Sequence, residues 1–372
     1  SSGIWVAISM IGVSSIGMIL FTSRPVGDAM ATTIWGASSS WTLTALPLFV
    51  WMGEILFRTK LSENLFEGLA PWLQKLPGGL IHVNVVGCAL FAAISGSSAA
   101  TVATVGKMSI PELRKRKYPE KILLGSLAGS GTLGLLIPPS IILIIYGVTV
   151  QESIAKLFIA GIIPGIMIAL IFMGYVIIWS LLNKNKMPLT DENFSFLNKL
   201  NKSKQLIPVI LLILGVIGSI YTGIATATEA ASLGVVGALI LSYFQKSLNL
   251  KTFKESLLGA TKTSCMIAFI LAGATFLSLA MGFTGLPRNL AIWIQNMELS
   301  PYVLIFVLMI FYIILGMFLD GISAVVLTMA IIEPMIRQAG FDMIWFGIFL
   351  VIVVEMAQIT PPVGFNLFVL QG

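Results

Sequence analysis

The sequence predicts an all-α polytopic membrane protein, built as an inverted structural repeat with two re-entrant helical hairpins and two discontinuous helices. Three observations lead there. The 372 residues are 57% hydrophobic and 10% charged, with mean hydropathy +0.98, and the apolar residues come in long blocks. Two apolar runs are interrupted by adjacent prolines, Pro138-Pro139 and Pro361-Pro362. Four landmarks recur in order at nearly constant spacing. A β-barrel would show short alternating segments, which are absent. The net charge of +6 does not point to nucleic acid, because the basic residues sit between apolar runs where membrane topology places them.

Taken in order, Ile4 to Phe21 is a first span, without the basic start or cleavage site of a signal peptide. Arg24 to Ser40 reads as a small-residue connection, and Leu43 to Phe57 as a second span ending at Arg58 and Lys60. Leu61 to Lys75 carries apolar residues at helical spacing opposite acids, the pattern of an interfacial arm helix. The region 76–113 has two apolar arms around Ser95-Gly96-Ser97-Ser98-Ala99-Ala100-Thr101, a re-entrant hairpin with a polar tip at membrane depth. The cluster Arg114-Lys115-Arg116-Lys117 closes it, and a broken helix over 119–149 follows. Ile154 to Leu182 is a span interrupted at Gly161, Pro164 and Gly165, and 183–205 is a polar, cytoplasmic connection.

The second half, 206–372, opens with spans at Leu206 to Tyr221 and Gly223 to Phe244. An amphipathic stretch from Lys251 to Lys262 precedes a span from Ser264 to Phe283. An interfacial helix at 286–297, a hairpin at 300–338 around Asp320-Gly321, and a broken helix at 341–372 complete it. Cys88 and Cys265 lie in apolar segments and read as small core residues. The tryptophans lie mostly near span ends, as interface anchors.

The prolines carry the sharpest physics. Pro138 and Pro139 remove two helix donors, so the carbonyls of Gly134 and Leu135 lose their partners; Pro361 and Pro362 do the same to Ala357 and Gln358. In hydrocarbon, such groups persist only where protein or a polar cavity covers them. A helix broken at membrane depth therefore marks a binding site.

The halves repeat. Phe49 matches Phe269, Leu69 matches Leu290, Ser95 matches Asp320, and Pro138 matches Pro361, at offsets of 220, 221, 225 and 223. Placing the Arg114–Lys117 cluster in the cytoplasm and threading the spans puts Arg24, Lys156, Arg288 and Arg337 outside. That leaves 18 of the 22 basic residues inside. The same threading sends the hairpins in from opposite sides. The first repeat spans 1–182; the second is shorter after its prolines, so the natural chain is expected to continue with at least one more span. Opening on Ser1, it is also expected to begin partway into that chain.

Gly96-Ser97-Ser98-Ala99-Ala100-Thr101, Leu136-Ile137-Pro138-Pro139-Ser140 and Leu157-Phe158-Ile159-Ala160-Gly161-Ile162-Ile163-Pro164-Gly165 resemble the large membrane subunit of TRAP transporters, the tripartite ATP-independent periplasmic systems. Leu46-Pro47-Leu48-Phe49, Leu76-Pro77-Gly78-Gly79, Thr228-Glu229-Ala230-Ala231 and Thr360-Pro361-Pro362-Val363-Gly364 extend the likeness over nearly the whole chain. The resemblance implies a Na+-driven elevator transporter of the bacterial inner membrane that carries a small organic acid, such as sialic acid or a C4-dicarboxylate. It also implies two partners, a small four-helix membrane subunit and a periplasmic substrate-binding protein. Other readings are a stand-alone Na+/dicarboxylate carrier and, remotely, an intramembrane serine hydrolase using His82 with Ser97 or Ser98.

Half-helix N-termini after the proline pairs offer N–H groups to a carboxylate, and unwound carbonyls offer oxygens to Na+. Candidate cation positions are Ser95, Gly96, Ser98, Gly134, Leu135 and Pro138 in the first half, and Gly316, Asp320, Gly321, Ala357, Thr360 and Gly364 in the second. Candidate substrate positions are Ser97, Ser98, Thr101, Pro139, Ser140, Pro362, Val363 and Asn366. The competing reading is that small residues let helices pack closely. Asp320 is either a cation ligand, being an acid between apolar arms, or a cap on the helix that follows. Glu229 and Glu355 are intramembrane acids that could couple a cation or proton, and the structural reading is favoured for both.

Overall fold

The structure, a computed structural model, describes residues 2–58, 61–188, 195–204, 206–296, 300–362 and 364–371. Among them, every regular element is helical. The first half runs α1 (Ser2–Phe21), α2 (Val26–Ser38), a 3-10 turn at Trp41–Thr44, α3 (Ala45–Phe57) and α4 (Leu61–Leu73). Hairpin one follows as α5 (Ile81–Ser95) and α6 (Ser98–Lys115), then broken helix one as α7 (Glu120–Gly131), a 3-10 turn at Thr132–Leu135, and α8 (Ile141–Val150). Next come α9 (Ile154–Leu182), a 3-10 turn at Lys184–Lys186, and α10 (Phe196–Ser203). The second half has α11 (Ile207–Tyr221), α12 (Ala227–Phe244), α13 (Leu250–Thr284) and α14 (Leu286–Asn296). Hairpin two is α15 (Pro301–Gly316) with α16 (Gly321–Gln338), and broken helix two is α17 (Met343–Gln358) with α18 (Phe365–Gln371).

Among the described residues, α9, α12, α13 and α16 are individually long and apolar enough to cross a bilayer. The 15 residues of α5 span about 22 Å, short of a hydrocarbon core about 30 Å thick. That is the length of a hairpin arm rather than of a full span.

Three expectations need correction. Arg24 to Ser40, read as a small-residue connection, is mostly a helix: it contains α2, which starts after Pro25, has Asp28 in its first turn, and bonds the Thr32 and Thr33 hydroxyls back to its own carbonyls. Lys251 to Lys262 and Ser264 to Phe283 are one 35-residue helix, α13, capped by Asn249 and ended by Gly285 at φ +70°. No breaker separates its polar third from its apolar remainder. Finally, α9 runs unbroken through Pro164. Its glycines serve close approach instead: a Cβ on Gly161 would lie 2.8 Å from the Leu136 carbonyl oxygen, and one on Gly165 2.9 Å from Ile137 Cγ1. The helix thus covers the first break rather than breaking itself.

Two groups of helices face each other. In one, α13 packs along α1 and α3, and α3 packs along α12. In the other, each hairpin packs on the broken helix of its own half, α5 and α6 against α7, and α15 and α16 against α17. The half-helices beyond the breaks cross over: α8 packs on α16, and α18 packs on α6 and α7. A large buried core containing Phe91, Tyr146, Tyr312 and Phe346 fills the interior, and Phe276 anchors a separate small cluster with Met18 and Ala280. Tyr146 pins broken helix one to broken helix two, its hydroxyl donating to the Met343 carbonyl at 2.7 Å.

Candidate functional site

Both hairpin tips open onto one cavity of about 450 Å³. Ser95 to Ala100 and Ala103 line it from hairpin one, Asp320, Gly321 and Ile322 from hairpin two, and Leu135, Ile141 and Gln358 from the two broken helices. The opposite wall is α3 and α13, through Gly53, Glu54 and Phe57 and through Thr263, Met266 and Ile270 among others.

Tip one is made by a change of backbone hand. Gly96 ends α5 at φ +59°, and Ser97 starts α6 by accepting from Ala100 N–H. The tip then folds its own hydroxyls inward. Ser95 Oγ lies 2.8 Å from Thr101 Oγ1, and the Thr101 hydroxyl donates to the Ser97 carbonyl at 2.8 Å. Broken helix one grips this tip from two sides. The Ile141 N–H donates to the Gly96 carbonyl at 3.3 Å, while a Cβ on Gly134 would lie 2.6 Å from the Ser97 carbonyl oxygen. The proline pair behind it is buried and joined by a cis peptide.

The expectation that the Leu135 carbonyl stays free needs correction. Ser140 is fully buried, its hydroxyl donates to that carbonyl, and its oxygen accepts the Leu143 N–H at 3.3 Å. The side chain caps α8 and closes the gap the prolines leave. Leu135 itself lines the cavity.

Tip two is built on Asp320. One carboxylate oxygen accepts the Ser323 N–H at 3.1 Å and the other accepts the Ser323 hydroxyl at 2.6 Å, capping α16. The same side chain lines the cavity, so both readings of Asp320 have a geometric basis. Behind it, a Cβ on Gly316 would lie 2.6 Å from Ala357 Cβ, so these two small residues let α15 and α17 touch. The Ser98 hydroxyl donates to Gln358 Oε1 at 2.8 Å, a buried bond that ties tip one to broken helix two. Thr360 bonds back to the Met356 carbonyl at 2.6 Å. Pro361 and Pro362 are exposed and cis, Gly364 is buried at φ +56°, and Val363 lies outside the described residues. Asn366 is fully buried with neither amide atom bonded.

Of the sequence-predicted positions, the structure brings Ser95, Gly96, Ser97, Ser98, Leu135, Asp320 and Gly321 to the cavity wall. Gly134, Thr101, Pro139, Ser140, Gly316 and Ala357 touch residues at or beside that wall, and Pro138 is buried next to Pro139. Thr360, Pro362, Gly364 and Asn366 do not line it. Sequence reasoning missed Glu54, and it singled out the Gln358 carbonyl but missed the Gln358 side chain. Glu54 was discoverable as an acid inside the apolar run Leu43 to Phe57. Its carboxylate is held by Arg58 at 3.2 Å, and Arg58 reaches Glu255 of α13 at 3.0 Å. His82 sits at the far end of α5 from the serines, its Nε2–H donating to the Pro77 carbonyl at 2.8 Å, which gives Ser97 and Ser98 no base. Glu229 completes a capping box with Thr226, a structural role. Glu355 is buried with one carboxylate oxygen unbonded.

Helix ends decide the electrostatics. The N-terminal ends of α6 and α16 and the C-terminal ends of α5 and α17 all meet at this cavity. N-termini favour an anion and C-termini a cation. The polar side chains at the wall are hydroxyls, the Glu54 and Asp320 carboxylates and the Gln358 amide, a set rich in oxygen ligands suited to a hard cation.

A family model described as "Tripartite ATP-independent periplasmic transporter, DctM component" matches residues 2–372. The C4-dicarboxylate TRAP transporter large permease protein DctM of Pseudomonas aeruginosa is 33% identical over 360 residues, covering 96% of this chain and 84% of that one. The isethionate TRAP transporter permease protein DctMQ of Oleidesulfovibrio alaskensis is 32% identical, covering 100% of this chain and 58% of the longer relative. Among solved structures, the YdaH transporter of Alcanivorax borkumensis superposes with a TM-score of 0.64 at 12% identity, over 99% of this chain and 89% of its own, and so shares the fold.

Proposed function

This chain belongs to the DctM-component family of TRAP transporters, as a large membrane permease, and from that membership we propose Na+-coupled uptake of a small organic acid by an elevator movement. The observation that carries the proposal is the single cavity where both hairpin tips and both broken helices meet. The tips and breaks form the moving body, and α3 and α13 form part of the scaffold it moves against. Na+ takes hydroxyl, carboxylate and helix C-terminal oxygens, and the substrate carboxylate takes helix N-termini. Cation charge at the tips then offsets the Asp320 carboxylate before the anion enters.

Relatives named for a C4-dicarboxylate and for isethionate support a small organic anion as the cargo. A periplasmic binding protein delivers it, and a small four-helix membrane subunit completes the complex in the bacterial inner membrane. The name of the DctMQ relative fits such a subunit being joined to the permease in some family members.

Uptake by the reconstituted complex in proteoliposomes tests this. Accumulation is expected only with an inward Na+ gradient and with the binding protein present. Na+-driven accumulation without that protein would favour a stand-alone carrier, and accumulation indifferent to Na+ would remove the coupling. Asp320→Asn keeps a capping side chain while removing the charge, and should raise the Na+ concentration for half-maximal uptake several-fold. An unchanged Na+ dependence in the folded variant would take Asp320 out of the cation site.

A further inference from the structure

Away from the cavity, three stretches distant in sequence are clipped together. Trp72 Nε1–H of α4 donates to Ser203 Oγ of α10 at 2.7 Å, and the Ser203 hydroxyl also reaches the Gly68 carbonyl at 3.3 Å. Lys199 Nζ stands 5.4 Å over the Trp72 ring, and the Phe196 ring meets that ring edge-on at 6.2 Å. Met187, just beyond the turn that ends α9, packs on the same small core as Leu69 and Leu73 of α4.

The outer side of this platform combines two chemistries. Phe196, Leu197 and Leu200 are 66%, 70% and 46% exposed on a helix of eight residues without an acid. Lys184, Lys186 and Lys204 are exposed around them. From Lys184 to Lys204 the sequence carries five lysines against two acids, Asp191 and Glu192, so this connection keeps a basic excess, and the acids Glu63 and Glu67 are on α4. A helix this short gains little order from its own hydrogen bonds and needs a surface to lie on. It leads within four residues to the apolar α11, at 57° to it.

We propose that α4 and α10 form an interfacial platform that binds anionic phospholipid headgroups through Lys184, Lys186, Lys199 and Lys204, with Phe196, Leu197 and Leu200 seated among the acyl chains. Exposed aromatic and aliphatic side chains ringed by ammonium groups complement a negatively charged bilayer surface. A water-soluble partner would leave the apolar trio exposed whenever it dissociated. The platform holds α4, the link between α3 and hairpin one, so anionic lipid fixes the arm against which the hairpin works.

The test reads lipid binding and needs no transport. The complex is reconstituted in phosphatidylcholine with a minority of phosphatidylglycerol, and the protein-restricted fraction of spin-labelled phosphatidylglycerol is compared with that of spin-labelled phosphatidylcholine. The unaltered protein should prefer the anionic lipid. The fourfold variant Lys184→Glu, Lys186→Glu, Lys199→Glu, Lys204→Glu should lose that preference several-fold, and the matching fourfold change to Arg should keep it. Should the reversal not fold, the pair Lys184→Glu and Lys186→Glu, outside the long helices, reads the same preference. An undiminished preference in the Glu variants would overturn the proposal. So would a reversal that leaves lipid preference intact but releases the small membrane subunit, which would make this face a protein interface.

Discussion

Gly96 and Gly321 hold matching places at the two hairpin tips, and they are crowded by different kinds of neighbour. A Cβ on Gly96 would lie 2.6 Å from the Pro139 carbonyl oxygen and 3.2 Å from the Ile141 nitrogen. One on Gly321 would meet Val354 Cγ1 at 2.9 Å, Gln358 Nε2 at 3.0 Å and Ile142 Cδ1 at 3.2 Å. Tip one is seated backbone on backbone, whereas tip two rests on the ends of side chains. Backbone atoms fixed in a broken helix cannot give way, but side-chain ends can rotate. Hairpin one and broken helix one therefore behave as one rigid piece, and hairpin two lies against both broken helices as a softer seat.

The sharpest way to break this contrast is to fill the first seat. Gly134→Ala sets a methyl against the Ser97 carbonyl and amide at the tip, and Gly96→Ala adds a left-handed φ to a backbone clash. Each should cost about 3 kcal/mol, seen as a large fall in the midpoint of thermal unfolding in detergent. A shift like that of an ordinary surface change would show the seat to be loose. Next in size is Ser98→Ala, which leaves buried Gln358 Oε1 without its donor and should cost about 2 kcal/mol. Adding Gln358→Leu should recover part of that loss, and a purely additive double variant would deny the coupling.

The tips and breaks were legible in the sequence because proline and glycine act on the backbone itself. A missing N–H or a required positive φ leaves the same mark whatever packs around it. The repeat rests on a different signal, since of its four landmarks only Pro138 and Pro361 act on the backbone and the rest are carried by order and spacing. What stayed hidden depends on neighbours. Gly161, Pro164 and Gly165 read as a break because the sequence does not say that α9 lies against Leu136 and Ile137. The polar start of α13 read as a separate element because amphipathicity reports which face is wet and says nothing about continuity. Ser140 was expected to face a ligand, yet its nearest need is the carbonyl that its own prolines expose. The cavity's far wall, with Glu54, required knowing that α3 and α13 come to face the tips.

On the softer side of the comparison the effects shrink. Gly321→Ala should cost about 1 kcal/mol, because Val354, Gln358 and Ile142 can each yield a few tenths of an ångström. A loss as large as that of Gly134→Ala would make the two tips equally rigid and remove the distinction drawn between them.

Asp320 then separates the structural load of tip two from its proposed cation load. Asp320→Ala removes the acceptor for both the Ser323 N–H and its hydroxyl, and should cost about 1 kcal/mol of stability. Asp320→Asn keeps one carbonyl oxygen for the N–H and should stay within about 0.5 kcal/mol of the parent when unfolded without Na+. If Na+ binds here, adding it should raise the unfolding midpoint of the parent more than that of the Asn variant, because an ion held only by the folded state stabilises it by mass action. Equal Na+ shifts in the two proteins would mean that the carboxylate serves tip two as a cap alone, and that the tip holds its cation, if any, with neutral oxygens.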